Sequence, residues 1–170
     1  MIQLASNVDV LRPTRAVLGT SSEVAAACLV LLRAARRSLR CLHRDLSVFN
    51  LATSTAAGEL EKFLLGHRNA RIRLLVDELD WLETRAPRLK LLHRQFSHAL
   101  EVRVATSEDP IGDDSWMEAD GSHVLSLGQS AHGIGELWLA NEPRAQTKLA
   151  AFDRRWDAAA HNVPIAPLGL

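Results

Sequence analysis

Ala70-Arg71-Ile72-Arg73-Leu74-Leu75-Val76 is the stretch on which the fold turns. It alternates at first, with two arginines set between apolar residues, and then runs continuously apolar. A run of this kind bordered by helical patterns is what a strand covered on both faces requires, and such strands belong to parallel sheets. Just upstream, a helix is expected from Ser54 or Thr55, with Leu60, Phe63 and Leu64 on one side. It ends at Gly66, which suits a helix C-terminus. Just downstream, residues 80–98 place Leu89, Leu92 and Phe96 at helical spacing, with Pro87 near the true start of the helix.

The same alternation of elements continues in both directions. Toward the N-terminus, residues 39–51 read as a strand. Before it, Thr20-Ser21-Ser22-Glu23 has the spacing of a capping box, and Val24, Cys28, Leu31, Leu32 and Ala35 recur on one helical face. Residues 1–19 carry no strong pattern and read as an irregular arm. Toward the C-terminus, Leu100, Val102 and Val104 form a third strand. A polar loop over 107–115 follows, and then two short strands, 116–119 and 123–127, flank the hairpin dipeptide Asp120-Gly121. Residues 128–135 read as a loop and 136–140 as a last strand. Asn141-Glu142-Pro143 starts a final helix, with Ala145, Leu149, Phe152 and Trp156 on one face. Residues 162–170 read as a flexible tail. The expectation is one α/β domain over 20–161, a mixed sheet with helices on both faces.

Composition bounds what such a domain does. The chain has 170 residues, 47% of them hydrophobic, enough for a core without staples. Lys plus Arg and Asp plus Glu number 20 each, which argues against a general nucleic-acid binder. The two cysteines, Cys28 and Cys41, fall in apolar stretches and read as buried thiols in a reducing compartment. No run of about 18 apolar residues is present, so no membrane span is expected. Residues 1–7 lack a basic start with a hydrophobic core behind it, so no signal peptide is read and the cytoplasm is the expected location.

The order of elements over nearly the whole chain resembles one half of the phospholipase D superfamily, most clearly from about Leu100 onward. In that family a strand is followed by a His-x-Lys-x4-Asp signature whose Asp precedes Gly in a tight turn. A Gly-Ser-x-Asn stretch, a Glu-led strand and a helix ending in Phe and Trp come next. Here Asp120-Gly121 resembles the turn, Gly128-Gln129-Ser130 a degraded Gly-Ser-x-Asn, and Gly135-Glu136-Leu137 the Glu-led strand. Phe152 to Trp156 resembles the closing helix. Counting back from Asp120, the signature His falls at Asp113 and the Lys at Ser115. The resemblance implies a phospholipase D-like sheet. The departure implies a domain without the nucleophile and its cationic partner, and hence without covalent and electrostatic catalysis.

The expected function is therefore noncatalytic binding or assembly, with no cofactor and no catalytic residue carried over. Active one-half members of the resembled family pair two copies, which implies a homodimer here. The surface or pocket residues expected for it are Trp116, Glu118, His123, Ser130 and Glu136. A similar bacterial domain stands behind an acetyltransferase module, which makes such a module an expected partner. Two alternatives stay open. One is a phosphodiester hydrolase with a substituted site, in which His123 or His132 replaces the nucleophile. The other is a nucleic-acid-associated regulator using Arg33, Arg36, Arg37, Arg40 and Arg44 as an anion-binding cluster, joined by Arg71 and Arg73. The acids Asp109, Asp113, Asp114, Glu118 and Asp120 with His123 offer ligands for a cation but read as a solvated loop, and no metal is expected.

Overall fold

The computed structural model describes residues 9–130, 133–159 and 165. Its elements run β1 (Thr14–Leu18), α1 (Ser21–Ala34), β2 (Ser38–Leu42), a 3-10 turn (Ser47–Phe49), α2 (Ser54–Gly66) and β3 (Arg71–Val76). They continue α3 (Asp80–Arg85), α4 (Pro87–Gln95), β4 (Leu100–Val104), β5 (Ser115–Ala119), β6 (His123–Ser130), β7 (Gly133–Leu139) and α5 (Glu142–Ala158). The strands form one sheet in the order β1-β7-β6-β5-β2-β3-β4. β2, β3 and β4 are parallel neighbours, and the other pairs are antiparallel.

The helices start where their sequences dictate. Thr20 caps α1 through its hydroxyl while the Glu23 carboxylate accepts the Thr20 and Gly19 N–H groups. The Gly19 N–H, joined by Thr20, holds the Glu23 carboxyl below its ordinary value against the opposing effect of desolvation. Asn141 caps α5 by accepting the Arg144 N–H. No described helix is long and apolar enough to cross a membrane.

Alternation along the strands makes two cores. On one face Leu39, Cys41, Ile72, Leu74, Val102, Met117, Leu125 and Leu137 pack with residues of α1, α2 and α4 in the main core. On the other face Leu42, Leu75, Ile111, Trp116, Phe152, Trp156 and Ala159 form a smaller core under α5. Cys28 and Cys41 are buried free thiols, and burial pushes Cys28 up to about 12.

Four expectations need correction. The arm 1–19 holds a strand: β1 pairs with β7 from Thr14↔Leu139 to Leu18↔Gly135 because Ala16 and Leu18 turn inward. The strand expected over 39–51 stops at Leu42. Leu46, Phe49 and Leu51 are buried as expected of apolar residues, but in a turn whose Leu46 and Asn50 are left-handed. The helix over 80–98 is two helices, because the ring of Pro87 cannot continue the hydrogen-bond ladder of α3. The loop over 128–135 is largely strand, since β6 reaches Ser130 and β7 begins at Gly133. Of the tail 162–170, Ile165 alone is described, and it is buried in the main core; the rest lies outside the described residues.

Candidate functional site

β5 begins at the signature positions. Asp113 is exposed in the turn before it, and Ser115 is its first residue, buried at 7% exposure. The Ser115 hydroxyl oxygen finds no hydrogen-bond partner among the described residues. In the sheet Ser115 pairs with Leu127, and Leu127 lines a cleft of about 450 Å³. The other lining residues are Ser21 and Val24 from the start of α1, Ser47, Val48 and Asn50 from the 3-10 turn, and Ile134 from β7. None of these described lining residues is titratable. The cleft offers hydroxyls, one amide and aliphatic walls.

Past Ser115 the hairpin residues are spent on structure. Asp120 sits in the left-handed region at φ 57°, which Asp tolerates better than most residues. Its carboxylate accepts the backbone N–H groups of Arg36, Arg37 and Ser38, all at 2.8 Å. The signature Asp therefore ties the β5–β6 turn to the entry of β2. Glu118 is fully buried, pairs with Arg40 at 3.0 Å and accepts the Gly121 N–H. Burial raises the Glu118 carboxyl above its ordinary value, against the pull of the Gly121 N–H and of Arg40.

His123 is buried, at 7% exposure. Its Nδ1 accepts the N–H of Ala140, a residue held at φ 49°. Burial keeps its imidazole below the ordinary range. His43 acts in the same way at the end of β2, where its Nδ1 accepts the N–H groups of Asp45 and Leu46. His132 lies outside the described residues, and of Ser130 the structure describes the backbone, which pairs with Gly133.

Trp116 belongs to the smaller core, not to a surface. It is fully buried and meets Phe152 edge-on at 5.5 Å between ring centroids, with Phe152 stacked on Trp156 in turn. The reading of Trp116 as an interface residue is corrected by the α5 face that covers it. Glu118 and His123 are likewise buried within the single chain. Glu136 is the exception: it is partly exposed on β7, bonded to Arg15 at 2.6 Å and to the Trp138 Nε1. The Arg15 hydrogen bond holds its carboxyl below the ordinary range. Arg15 and Arg144 also lie over the Trp138 ring, at 4.9 and 4.5 Å from its centroid.

The acidic residues that offered ligands for a cation are engaged elsewhere. Asp109 pairs with Arg155, Asp114 with Lys148 and Arg155, Glu118 with Arg40, and Asp120 with backbone. Among the described residues no group of three His, Cys, Asp or Glu is placed to hold a metal ion.

The basic cluster is divided. Arg33 pairs with Glu59, Arg44 with Glu78 and Arg40 with Glu118, while Arg36 donates to the carbonyls of Arg33 and Ala35. Arg37 and Arg40, with Arg71 and Arg73, line a separate pocket on the opposite end of the sheet from the cleft.

A mixed seven-stranded sheet with a parallel half, a hairpin half and helices on both faces defines a phospholipase D-like fold. The chain is similar to Nuc from Salmonella typhimurium, a phospholipase D family member. That likeness has a TM-score of 0.63 at 17% identity, over 88% of this chain and 98% of that one. NucT from Helicobacter pylori gives a TM-score of 0.56 at 10% identity, over 88% and 98%. TrmBL2, an archaeal chromatin protein with a novel mode of DNA binding, gives 0.65 at 13% identity, over 93% of this chain but 57% of that one. The chain thus spans little more than half the length of TrmBL2. No curated protein matches the sequence. Residues 20–165 match the family model of a domain of unknown function, DUF7931, and the chain belongs to that family.

The cleft is the part of the site that sequence reasoning missed. Its walls come from α1, the turn after β2, and the β6–β7 hairpin, which only the topology brings together. The one local signal was the run Asp45-Leu46-Ser47, where the Asp45 side chain accepts from Ser47 as turn-forming acids do.

Proposed function

We propose that this chain is a noncatalytic phospholipase D-like domain that binds or assembles and does not hydrolyse. The observation that carries this reading is Ser115, a buried hydroxyl at the position where the resembled family keeps its ammonium. The neighbouring cleft supports it, because its described lining supplies no base, nucleophile or cation. An exposed Asp113 repels a phosphate anion instead of attacking it. His43 and His123 support it too, since each spends its Nδ1 lone pair on backbone N–H groups.

Assembly as a homodimer is the form this reading takes, by the family's habit of apposing two copies at the signature. Val48 and Ile134 line the cleft and are 39% and 37% exposed, which gives a second copy an apolar surface to cover. An acetyltransferase module as partner rests on resemblance alone. The two buried free thiols fit a reducing compartment such as the cytoplasm. Sedimentation velocity over a range of concentrations tests the assembly. The expected result is a dimer that Val48→Asp dissociates, and a strictly monomeric chain overturns it. Incubation with bis(p-nitrophenyl) phosphate tests the rest, with release no faster than in buffer expected.

A second reading, association with nucleic acid, draws on the likeness to DNA-binding TrmBL2. Its mark would be affinity that falls steeply with added salt.

A further inference from the structure

The half of the second sheet face that α5 leaves uncovered is lined with arginines. On β2 and β3 the register sets Ser38 beside Arg71, Arg40 beside Arg73 and Leu42 beside Leu75. The period of two along a strand puts all six on one face. Leu42 and Leu75 are sealed under α5 in the smaller core. The N-terminal halves of the same strands are not sealed. There Arg37, Ser38, Arg40, Arg71 and Arg73, with Leu39, line an open pocket of about 150 Å³.

The charges in this pocket are unbalanced. Four arginines line it, and among the described residues Glu118 pairs with Arg40 alone. Glu101, in register with Arg73, lies 3.6 Å from Arg103 instead. Arg73 is partly buried, and its contact is the ring of Trp156, 5.3 Å from the centroid. Its Nε, like that of Arg40, is shielded from solvent and has no hydrogen-bond partner among the described residues. Arg71 donates to the Ala70 carbonyl, a neutral acceptor. The Arg37 side chain makes no ion pair or hydrogen bond among the described residues. Arg73 is the partly buried cation of the set with its Nε unpaired, and an anion beside it would offset that cost, while the exposed Arg37 and Arg71 add charge at the mouth.

We infer that this pocket is an anion site that takes a phosphate group, gripped by Arg37, Arg71 and Arg73, with the Glu118-paired Arg40 as its fixed wall. Phosphate suits this lining because arginines from two strands and from the link before β2 border one pocket, and a tetrahedral anion accepts several guanidinium forks at once. The pocket stands at the start of β2, whereas the cleft is built on residues beyond its end, so the inference does not depend on the proposed loss of catalysis. A free phosphate or phosphomonoester and the backbone of a nucleic acid share this chemistry.

The test titrates the full chain with pyrophosphate and, separately, with a short single-stranded oligonucleotide, followed by tryptophan fluorescence. Saturable binding of at least one probe is expected. Arg37→Ala with Arg71→Ala, both exposed positions whose loss spares the fold, should weaken it by about tenfold or more. Arg73→Gln should weaken it in the same direction. Arg33→Ala with Arg44→Ala, whose guanidiniums are engaged by Glu59 and Glu78, should leave it within about twofold. Pyrophosphate binding alone identifies a small phosphate as the source. Oligonucleotide binding whose salt slope drops by about two in the double variant identifies a strand backbone. No saturable binding of either probe, or equal losses in the two double variants, overturns the site.

Discussion

The Asp120 carboxylate lies 2.8 Å from the backbone nitrogen of Ser38, so the acid that closes the family-like signature clamps the entry of the first parallel strand. The same carboxylate takes the N–H groups of Arg36 and Arg37, which span the link between α1 and β2. A hairpin in the antiparallel half of the sheet is thereby fixed to the parallel half. This clamp is structural and needs no chemistry at positions 113 and 115.

Asp120→Ala leaves those N–H groups to solvent and puts a β-carbon without a polar arm at a positive φ. Two of the donors are exposed, so water recovers part of the loss. The expected cost is about 2 kcal/mol, with Asp120→Asn milder because it keeps one acceptor oxygen and tolerates the left-handed region. Urea unfolding of the two variants against the parent chain checks the order.

Arg40→Ala strands the Glu118 carboxylate inside the sheet. A cost of about 3 kcal/mol is expected near neutral pH. Burial already raises the Glu118 carboxyl. The folded acid therefore loses its proton at a higher pH than the unfolded one. Its contribution is present below the ordinary carboxylate value and lost as pH rises through the raised range. The deficit of the variant should consequently shrink on acidification, read as the difference in thermal midpoint between the two proteins at each pH. A deficit independent of pH would place the loss elsewhere.

His43 and His123 each hold a left-handed non-glycine residue, Leu46 at φ 69° and Ala140 at φ 49°, through an Nδ1 lone pair. Burial keeps both imidazoles below 6.5, while the neighbouring Asp45 works against it at His43. The unfolded chain therefore takes up protons first as pH falls. Stability is full above about 6.5 and declines below it. His123→Asn keeps an acceptor near the Nδ1 position without a titrating ring. It should flatten the decline between about pH 7 and about pH 5, measured by chemical denaturation at each pH.

Trp116→Ala empties the centre of the smaller core beside Phe152 and Leu42. A loss of about 3–5 kcal/mol is expected. If Trp116 were instead an interface residue, the substitution would change the association state and leave the stability of the isolated chain in place. Sedimentation and denaturation of the same sample separate the two.

The sequence was most legible where a local rule and the tertiary structure agree. The apolar run ending at Val76, the Asp120-Gly121 turn, the Thr20 capping box and the Asn141 cap all appear as read. β1 was hidden because only Ala16 and Leu18 of its five residues point inward. The end of β2 was misread because Leu46, Phe49 and Leu51 are buried without being extended, and periodicity does not distinguish a buried turn from a strand. Trp116 reads as an interface residue because it stands next to the would-be Lys position, where the resembled family apposes two copies, yet Lys148 and Arg155 of α5 pair with Asp114 and the helix covers the ring. The signature positions were readable by counting. The cleft and the arginine pocket were not, since register and crossover connections assemble both.

The central claim, that no group here attacks phosphorus, is tested most directly by a single-turnover experiment. The purified chain, in excess over radiolabelled bis(p-nitrophenyl) phosphate, is followed for nitrophenol release and, after an alkaline denaturing quench, for the nitrophenyl-phosphoryl group covalently held on protein. The account predicts no burst, no phosphoprotein, and traces unchanged in His43→Ala and His123→Ala variants. A stoichiometric burst with label retained on a histidine, abolished by one of those substitutions, would contradict it.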